Sequence, residues 1–206
     1  MHSGEAQRLA VLKLGGSLAG GGRLREWLDA IRSQPARLVV VPGGGPFADV
    51  VRRMQREIGF DDAAAHEMAM VAMSQFGRAL QSLRTGFELA ASLDDIGAAL
   101  AAGQTPIWSP ERMALAAKLP ASWDITSESL AAWLAGQHRA GRLILVKHAA
   151  SASPAAALAE RGVVDPAFPG YLAAAGARAF LATPDDAHRL GEGLDGDAFA
   201  EIGLAA

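Results

Sequence analysis

The chain has 206 residues, half of them hydrophobic and a fifth charged, with 19 basic against 22 acidic side chains and a formal net charge of −3. That length and apolar content suit one domain over 1–206 with a substantial core, and they argue against long disorder. The charge balance lacks the basic excess of a nucleic-acid binder, and the absence of cysteine excludes disulfides, thiolate catalysis and thiolate metal centres.

In chain order, Leu9–Leu14 reads as a short buried strand closed by Gly15 and Gly16. Leu24, Trp27, Leu28 and Ile31 recur at helical spacing. Leu38–Val41 is a second strand, ended by Pro42 and three glycines. Phe47, Val50, Val51, Met54 and Ile58 form a helical stripe, and His66–Leu83 forms a long apolar-rich helix. Phe87–Ala91 and Thr105–Trp108 read as strands around a helix at Ile96–Ala102. Thr126–His138 is a helix and Leu143–Lys147 a branched-rich strand. Residues 148–170 are loose, with 149–159 open to a helix or a loop. Leu172–Gly176 and Asp185–Leu190 read as helices flanking a strand at Ala177–Leu181. Alternating strands and helices with continuously apolar strands predict an α/β protein, a three-layer α/β/α sandwich around a mainly parallel sheet.

Chemistry in such folds gathers beyond the carboxyl ends of strands. Two glycine loops stand there: Gly15-Gly16-Ser17 after Lys13-Leu14, and Gly43-Gly44-Gly45-Pro46 after the second strand. Glycine lets backbone N–H groups converge on an anion, and a helix opening near Pro46 adds its positive end. The chain has 16 arginines and only three lysines, Lys13, Lys118 and Lys147. Lys13 and Lys147 lie in apolar runs, where a charge is costly to bury without a purpose, although a lysine at a strand end can also snorkel to solvent. There is no P-loop motif, no G-x-G-x-x-G after either of these strands, no G-x-S-x-G and no H-E-x-x-H. No metal-ligand set is expected. The Met68, Met70, Met73 group reads as core packing.

The segments Val11-Leu12-Lys13-Leu14-Gly15-Gly16-Ser17 and Val39-Val40-Val41-Pro42-Gly43-Gly44-Gly45-Pro46 resemble the two signature loops of the amino acid kinase family. A third segment, Ser122-Trp123-Asp124-Ile125-Thr126-Ser127-Glu128, is similar to the family's acidic helix opening, and within the family the match is to the short (aminomethyl)furanmethanol-phosphate kinase subgroup. The resemblance implies the amino acid kinase fold, ATP and Mg²⁺ as cofactors, and phosphoryl transfer to a small-molecule acceptor, here an amine-bearing phosphomonoester. It implies that Lys13 contacts the transferring phosphoryl group and that Gly15, Gly16 and Ser17 serve the nucleotide. Gly43, Gly44 and Gly45 would serve the acceptor. Glu128 would organise the lysines in the place of the family's usual Asp, and Asp124 would bind the acceptor, with Trp123 and His66 beside it. Family members also imply a homo-oligomer, with the 61–83 helix as a candidate interface.

Two departures stand against the family pattern. The turn after the later strand reads Val146-Lys147-His148-Ala149-Ala150, without the family's Asp and Gly, and its C-terminal catalytic lysine has no counterpart. Lys147 can supply that second charge for catalysis and nucleotide binding. Alternatively the acceptor is another carboxylate or phosphomonoester, or the chain is a non-catalytic nucleotide- or anion-binding protein. Asp124 also reads as a simple helix N-cap and Glu128 as a first-turn acid complementing the helix dipole. With no membrane-length apolar run and no leader-like start, the expectation is a cytoplasmic protein that binds neither membrane nor nucleic acid.

Overall fold

Ala10–Leu14 forms β1 and Leu38–Pro42 forms β2, both buried at every residue, as strands covered on two faces must be. The computed structural model describes residues 9–16, 18, 22–34, 37–148 and 151–204. The other strands are β3 (Phe87–Ala90), β4 (Thr105–Trp108), β5 (Arg142–Val146), β6 (Ser153–Pro154), β7 (Arg178–Ala182) and β8 (Ala200–Gly203). They make one sheet in the order β3-β4-β2-β1-β5-β7-β8-β6, parallel throughout except where β8 runs antiparallel to β7. The helices are α1 (Gly22–Arg32), α2 (Gly45–Ile58), α3 (Asp62–Leu83), α4 (Leu93–Ala101), α5 (Glu111–Ala116), α6 (Ser127–Gln137), α7 (Ala155–Glu160), α8 (Phe168–Ala175) and α9 (Leu190–Asp195), the last continuing a 3₁₀ helix at Pro184–Arg189. This is the mainly parallel three-layer sandwich that the alternation of elements predicts. Among the described residues, no helix is long and apolar enough to cross a membrane.

Strand alternation decides what faces each layer. Ala10, Leu12 and Leu14 of β1 pack with Leu24, Trp27, Leu28 and Ile31 of α1. Val11 of β1 and Leu143 and Leu145 of β5 pack in the opposite layer, with Leu130 and Leu134 of α6 and Phe168 and Leu172 of α8. Lys13 shares its parity with Val11, and Lys147, directly after β5, shares that of Leu143 and Leu145. Both lysines therefore belong to the α6 side of the sheet.

Several elements depart from the sequence reading. α5, β6 and β8 are six residues or fewer, too short to show a period. α3 starts at Asp62 because the Asp61 side chain accepts the Ala64 N–H at 2.8 Å, a cap that lies ahead of the apolar run. The apolar stripe of α2 is not a core face: Val51 is buried, but Phe47, Val50 and Ile58 are exposed. α2 packs on α3 rather than on the sheet, and one helix covers only a narrow stripe of another. Phe47 and Val50 instead line an apolar surface groove with Met68 and Val71 of α3, so Met68 is outside the core that Met70 and Met73 enter.

Candidate active site

The carboxyl ends of β2, β1 and β5 lie side by side, with Lys13 level with Val41 on one neighbour and Leu145 on the other. The two glycine loops leave from β1 and β2 at this edge and meet backbone to backbone. A Cβ on Gly16 would fall 2.1 Å from the Gly45 Cα, and one on Gly44 would fall 2.4 Å from the Ala48 Cβ. Side chains are excluded here by contact, not merely by turn geometry. Gly45 also has φ +54°, a conformation that favours glycine, at the first residue of α2. Gly44 caps α2 without a side chain, so the first-turn N–H groups have no intrahelical acceptor and stand at the positive end of a 14-residue helix.

Beside these loops, a cavity of about 410 Å³ opens among Gly16, Gly44, Gly45, Glu128 and Lys147 on one side and α2 and α3 on the other. Glu128, in the first turn of α6, is 5 % exposed, and Lys13 is 3 % exposed. One carboxylate oxygen, Glu128 Oε1, accepts from Lys13 Nζ at 2.5 Å and from Lys147 Nζ at 2.9 Å. The other, Oε2, accepts from the Thr126 hydroxyl at 2.7 Å. Burial by itself would raise the Glu128 pKa, but the charges of Lys13 and Lys147 outweigh it and hold the carboxyl well below the usual range. Burial lowers the pKa of Lys13, and Glu128 opposes that loss. One carboxylate can balance only one of two ammonium groups. The remaining charge, on three-donor groups not saturated by acceptors among the described residues, suits an incoming anion.

The far wall is built from α2, α3 and the loop before α6. Trp123 Nε1 donates to Gln55 Oε1 at 2.7 Å, and Gln55 Nε2 donates to Asp62 Oδ1 at 2.8 Å. The Arg52 guanidinium lies 4.3 Å from the Trp123 ring centroid and donates to Asp49 at 3.1 Å. His66 lines the same cavity with a buried Nε2 that has no hydrogen-bond partner among the described residues, and burial lowers its pKa so that the ring is neutral near pH 7.

The residues singled out in the sequence fall unevenly. Glu128, Lys147, Gly16, Gly43, Gly44, Gly45, Trp123 and His66 all line the cavity. Lys13 does not line it and meets it through Glu128. Gly15 is buried, does not line it, and accepts the Leu18 N–H at 3.1 Å. Gly43 gives its N–H to the Leu14 carbonyl at 2.8 Å, so that group holds the two strands together and is not available to a phosphate. Ser17 lies outside the described residues. Asp124 requires correction on its helix-cap reading. It is exposed and outside the cavity lining, and the N-cap of α6 is Thr126. Besides Glu128, the acids on the cavity wall are Asp49 and Asp62.

Sequence reasoning missed Asp49, Arg52, Gln55, Asp62, Thr126 and Asp165. The spacing of Asp49, Arg52 and Gln55 along α2, three apart and beginning one turn after the glycines, was an available signal for a polar face turned to the loop. Among the described residues, no group of three or more histidine or acidic side chains is placed to hold a metal ion.

The chain is 27% identical over 128 residues to the [5-(aminomethyl)furan-3-yl]methyl phosphate kinase of Methanocaldococcus jannaschii, a match covering 60% of this chain and 58% of that protein's length. In structure it resembles the uridylate kinase of Archaeoglobus fulgidus, with a TM-score of 0.72 at 18% identity over 95% of this chain and 100% of the other. It also resembles the UMP kinase of Ureaplasma parvum, with a TM-score of 0.70 at 14% identity over 96% and 97% of the two chains. A family model described as the amino acid kinase family matches residues 8–150, the stretch that holds both glycine loops, Lys13, Glu128 and Lys147, and the chain belongs to that family.

Proposed function

We propose that this chain transfers the γ-phosphoryl group of Mg·ATP to a small phosphomonoester acceptor that carries an amine, forming a diphosphate. The observation that carries the reading is the Lys13–Glu128–Lys147 bridge beside a cradle of interlocked glycine backbone. Phosphoryl transfer needs alignment and charge stabilisation more than covalent help from the protein. The fit to a nucleotide rests on the absence of room for side chains at Gly16 and Gly44 and on the uncompensated ammonium charge. When bound, Mg·ATP supplies the phosphoryl group and, through the metal, further neutralisation of its charge.

The chain's own residues then divide the work. Gly16, Gly44 and Gly45 offer backbone N–H groups to phosphate oxygens. Lys147 holds nucleotide phosphate from the end of β5, in the place of the lysine the family carries further along. Lys13 turns one of its three N–H donors to the transferring group while Glu128 holds the ammonium by another. Arg52 receives the acceptor's phosphate, Asp62 or Asp49 its ammonium, and the Trp123 face a planar body between them. The neutral His66 Nε2 supplies the remaining polar contact. An (aminomethyl)furanmethanol phosphate has these three parts, and the named relative from M. jannaschii supports it as the first acceptor to test.

The second reading is a nucleotide- or anion-binding protein without turnover. It is favoured by the turn after β5, where Val146-Lys147-His148 departs from the family's Asp- and Gly-containing sequence. Self-association through the groove of Phe47, Val50, Met68 and Val71 fits the expectation of a homo-oligomer, and light scattering would measure it. One experiment separates kinase from binder: ADP release from Mg·ATP across a panel of amine-bearing phosphomonoesters, nucleoside monophosphates and carboxylates. The kinase reading expects release with the first class. Nucleotide binding with no release on any acceptor selects the binding protein.

A further inference from the structure

Asp165 is a buried acid, 7 % exposed, in the turn before α8, and it lies outside the cavity lining. Its Oδ2 accepts the backbone N–H groups of Thr126 and Ser129, each at 3.0 Å. Its Oδ1 accepts from the Ser129 hydroxyl. Thr126 and Ser129 are the N-cap and third residue of α6, and an N-cap threonine ordinarily uses its own hydroxyl oxygen to accept the N–H of that third residue. Here Asp165 takes that N–H from across the molecule. The Thr126 hydroxyl makes no cap bond and instead reaches Glu128 Oε2 at 2.7 Å. The same hydroxyl lies 2.9 Å from Asp165 Oδ2, so it sits between the two carboxyl groups. A second tie, from the Ala167 N–H to the Asp124 carbonyl at 3.0 Å, fastens the Asp165 turn to the loop ahead of α6.

The geometry points to Asp165 as a positioning residue for phosphoryl transfer: by capping α6 in trans it releases the Thr126 hydroxyl to hold Glu128 Oε2, which leaves Oε1 aimed at Lys13 and Lys147. Glu128 is a flexible side chain with three rotatable bonds, and two lysines on one oxygen do not fix its rotation. The hydroxyl on the opposite oxygen does. The turnover consequence rests on the kinase reading above; the consequence for the lysines does not.

The chain's three lysines make the test direct. With lysine labelled at ¹³Cε, the protein shows one signal each for Lys13, Lys147 and the exposed Lys118, which serves as an internal reference. Asp165→Ala and Thr126→Val are each expected to displace the Lys13 and Lys147 signals and leave Lys118 in place. Both should lower kcat by about ten- to a hundredfold, the loss of one hydrogen bond to a charged group. Asp165→Asn keeps an oxygen for the two amide N–H groups and should restore the lysine signals. Thr126→Val removes only the hydroxyl, so it carries the test if Asp165→Ala fails to fold. If Thr126→Val leaves both lysine signals and kcat at wild-type values, Asp165 is a helix cap and nothing more. A wild-type protein that releases no ADP on any acceptor ends the kinase reading, while the lysine spectrum still decides the role of Asp165.

Discussion

Lys147 and Lys13 donate to the same atom, Glu128 Oε1, at 2.9 and 2.5 Å, from the ends of two neighbouring parallel strands. The two ammonium groups differ in what surrounds them. The Lys13 side chain is 4 % exposed and that of Lys147 25 %, so the same substitution at the two positions should have different effects.

Lys13→Met should separate activity from stability. It removes a buried charge whose desolvation is the largest influence on its own pKa, and it leaves Glu128 paired with Lys147. The loss of one preorganised charge donor lowers kcat by about 10²–10³-fold. Removing one partner of a buried ion pair is costly when the other charge is left alone, but Lys147 still neutralises Glu128. The expected outcome is therefore a strong loss in ADP formation with a Tm close to wild type. Near-normal turnover would remove Lys13 from the reaction.

Lys147→Met should act on anion affinity. It leaves Lys13 and Glu128 as a balanced pair and abolishes the uncompensated charge beside the cavity. A charge-assisted hydrogen bond contributes about 1.5–3 kcal/mol, so Kd for Mg·ATP should rise about ten- to a hundredfold. Calorimetric titration checks this, and an unchanged Kd would show Lys147 merely reaching for solvent.

Glu128→Gln should lower both kcat and stability, because two ammonium groups would then share a site with no anion. Breaking a buried ion pair on one side costs about 3–5 kcal/mol. The effect depends on pH. The lysines hold the folded-state pKa of Glu128 below its ordinary 4.5, so its stabilisation is fully present above that value and is lost as pH falls beneath it toward the folded-state pKa. Asp165 works in the opposite sense, because burial raises its pKa and its folded form favours the proton. The difference in unfolding free energy between wild type and Glu128→Gln, measured by denaturant from pH 7 to pH 3, should therefore shrink below about pH 4.5. A difference that stays constant with pH would contradict an ionised, paired Glu128.

Arg52→Ala should raise the acceptor KM with the nucleotide KM unchanged, by about ten- to a hundredfold if one charge-assisted bond to the acceptor is lost. Asp124→Asn should leave both constants alone, since Asp124 is exposed and outside the cavity. Steady-state kinetics on the acceptor that gives the fastest ADP release compares the two. The reverse pattern would return the acceptor site to Asp124.

What the sequence determined by itself lies mostly in short-range rules. Apolar runs ended by glycine marked β1, β2 and the loops that interlock. Strand alternation put Lys13 on the same strand face as Val11, and Lys147 on that of Leu143 and Leu145. Those statements need only the two-residue repeat of a strand and the missing Cβ of glycine, whereas the β1–β5 register makes the two one face of the sheet. The tertiary structure decided which helix covers that face and where it begins. Asp124 and Glu128 are four positions apart, a spacing that places two side chains together only inside a helix. α6 starts at Ser127, so the relation does not hold and Asp124 turns to solvent. That start is fixed by Asp165, which accepts the N–H groups of the N-cap Thr126 and of Ser129 from 39 and 36 residues further along the chain. The long stripe of α2 fails for a related reason. Periodicity shows that a helix has an apolar face, but only packing decides whether a sheet, another helix or nothing within the chain covers it.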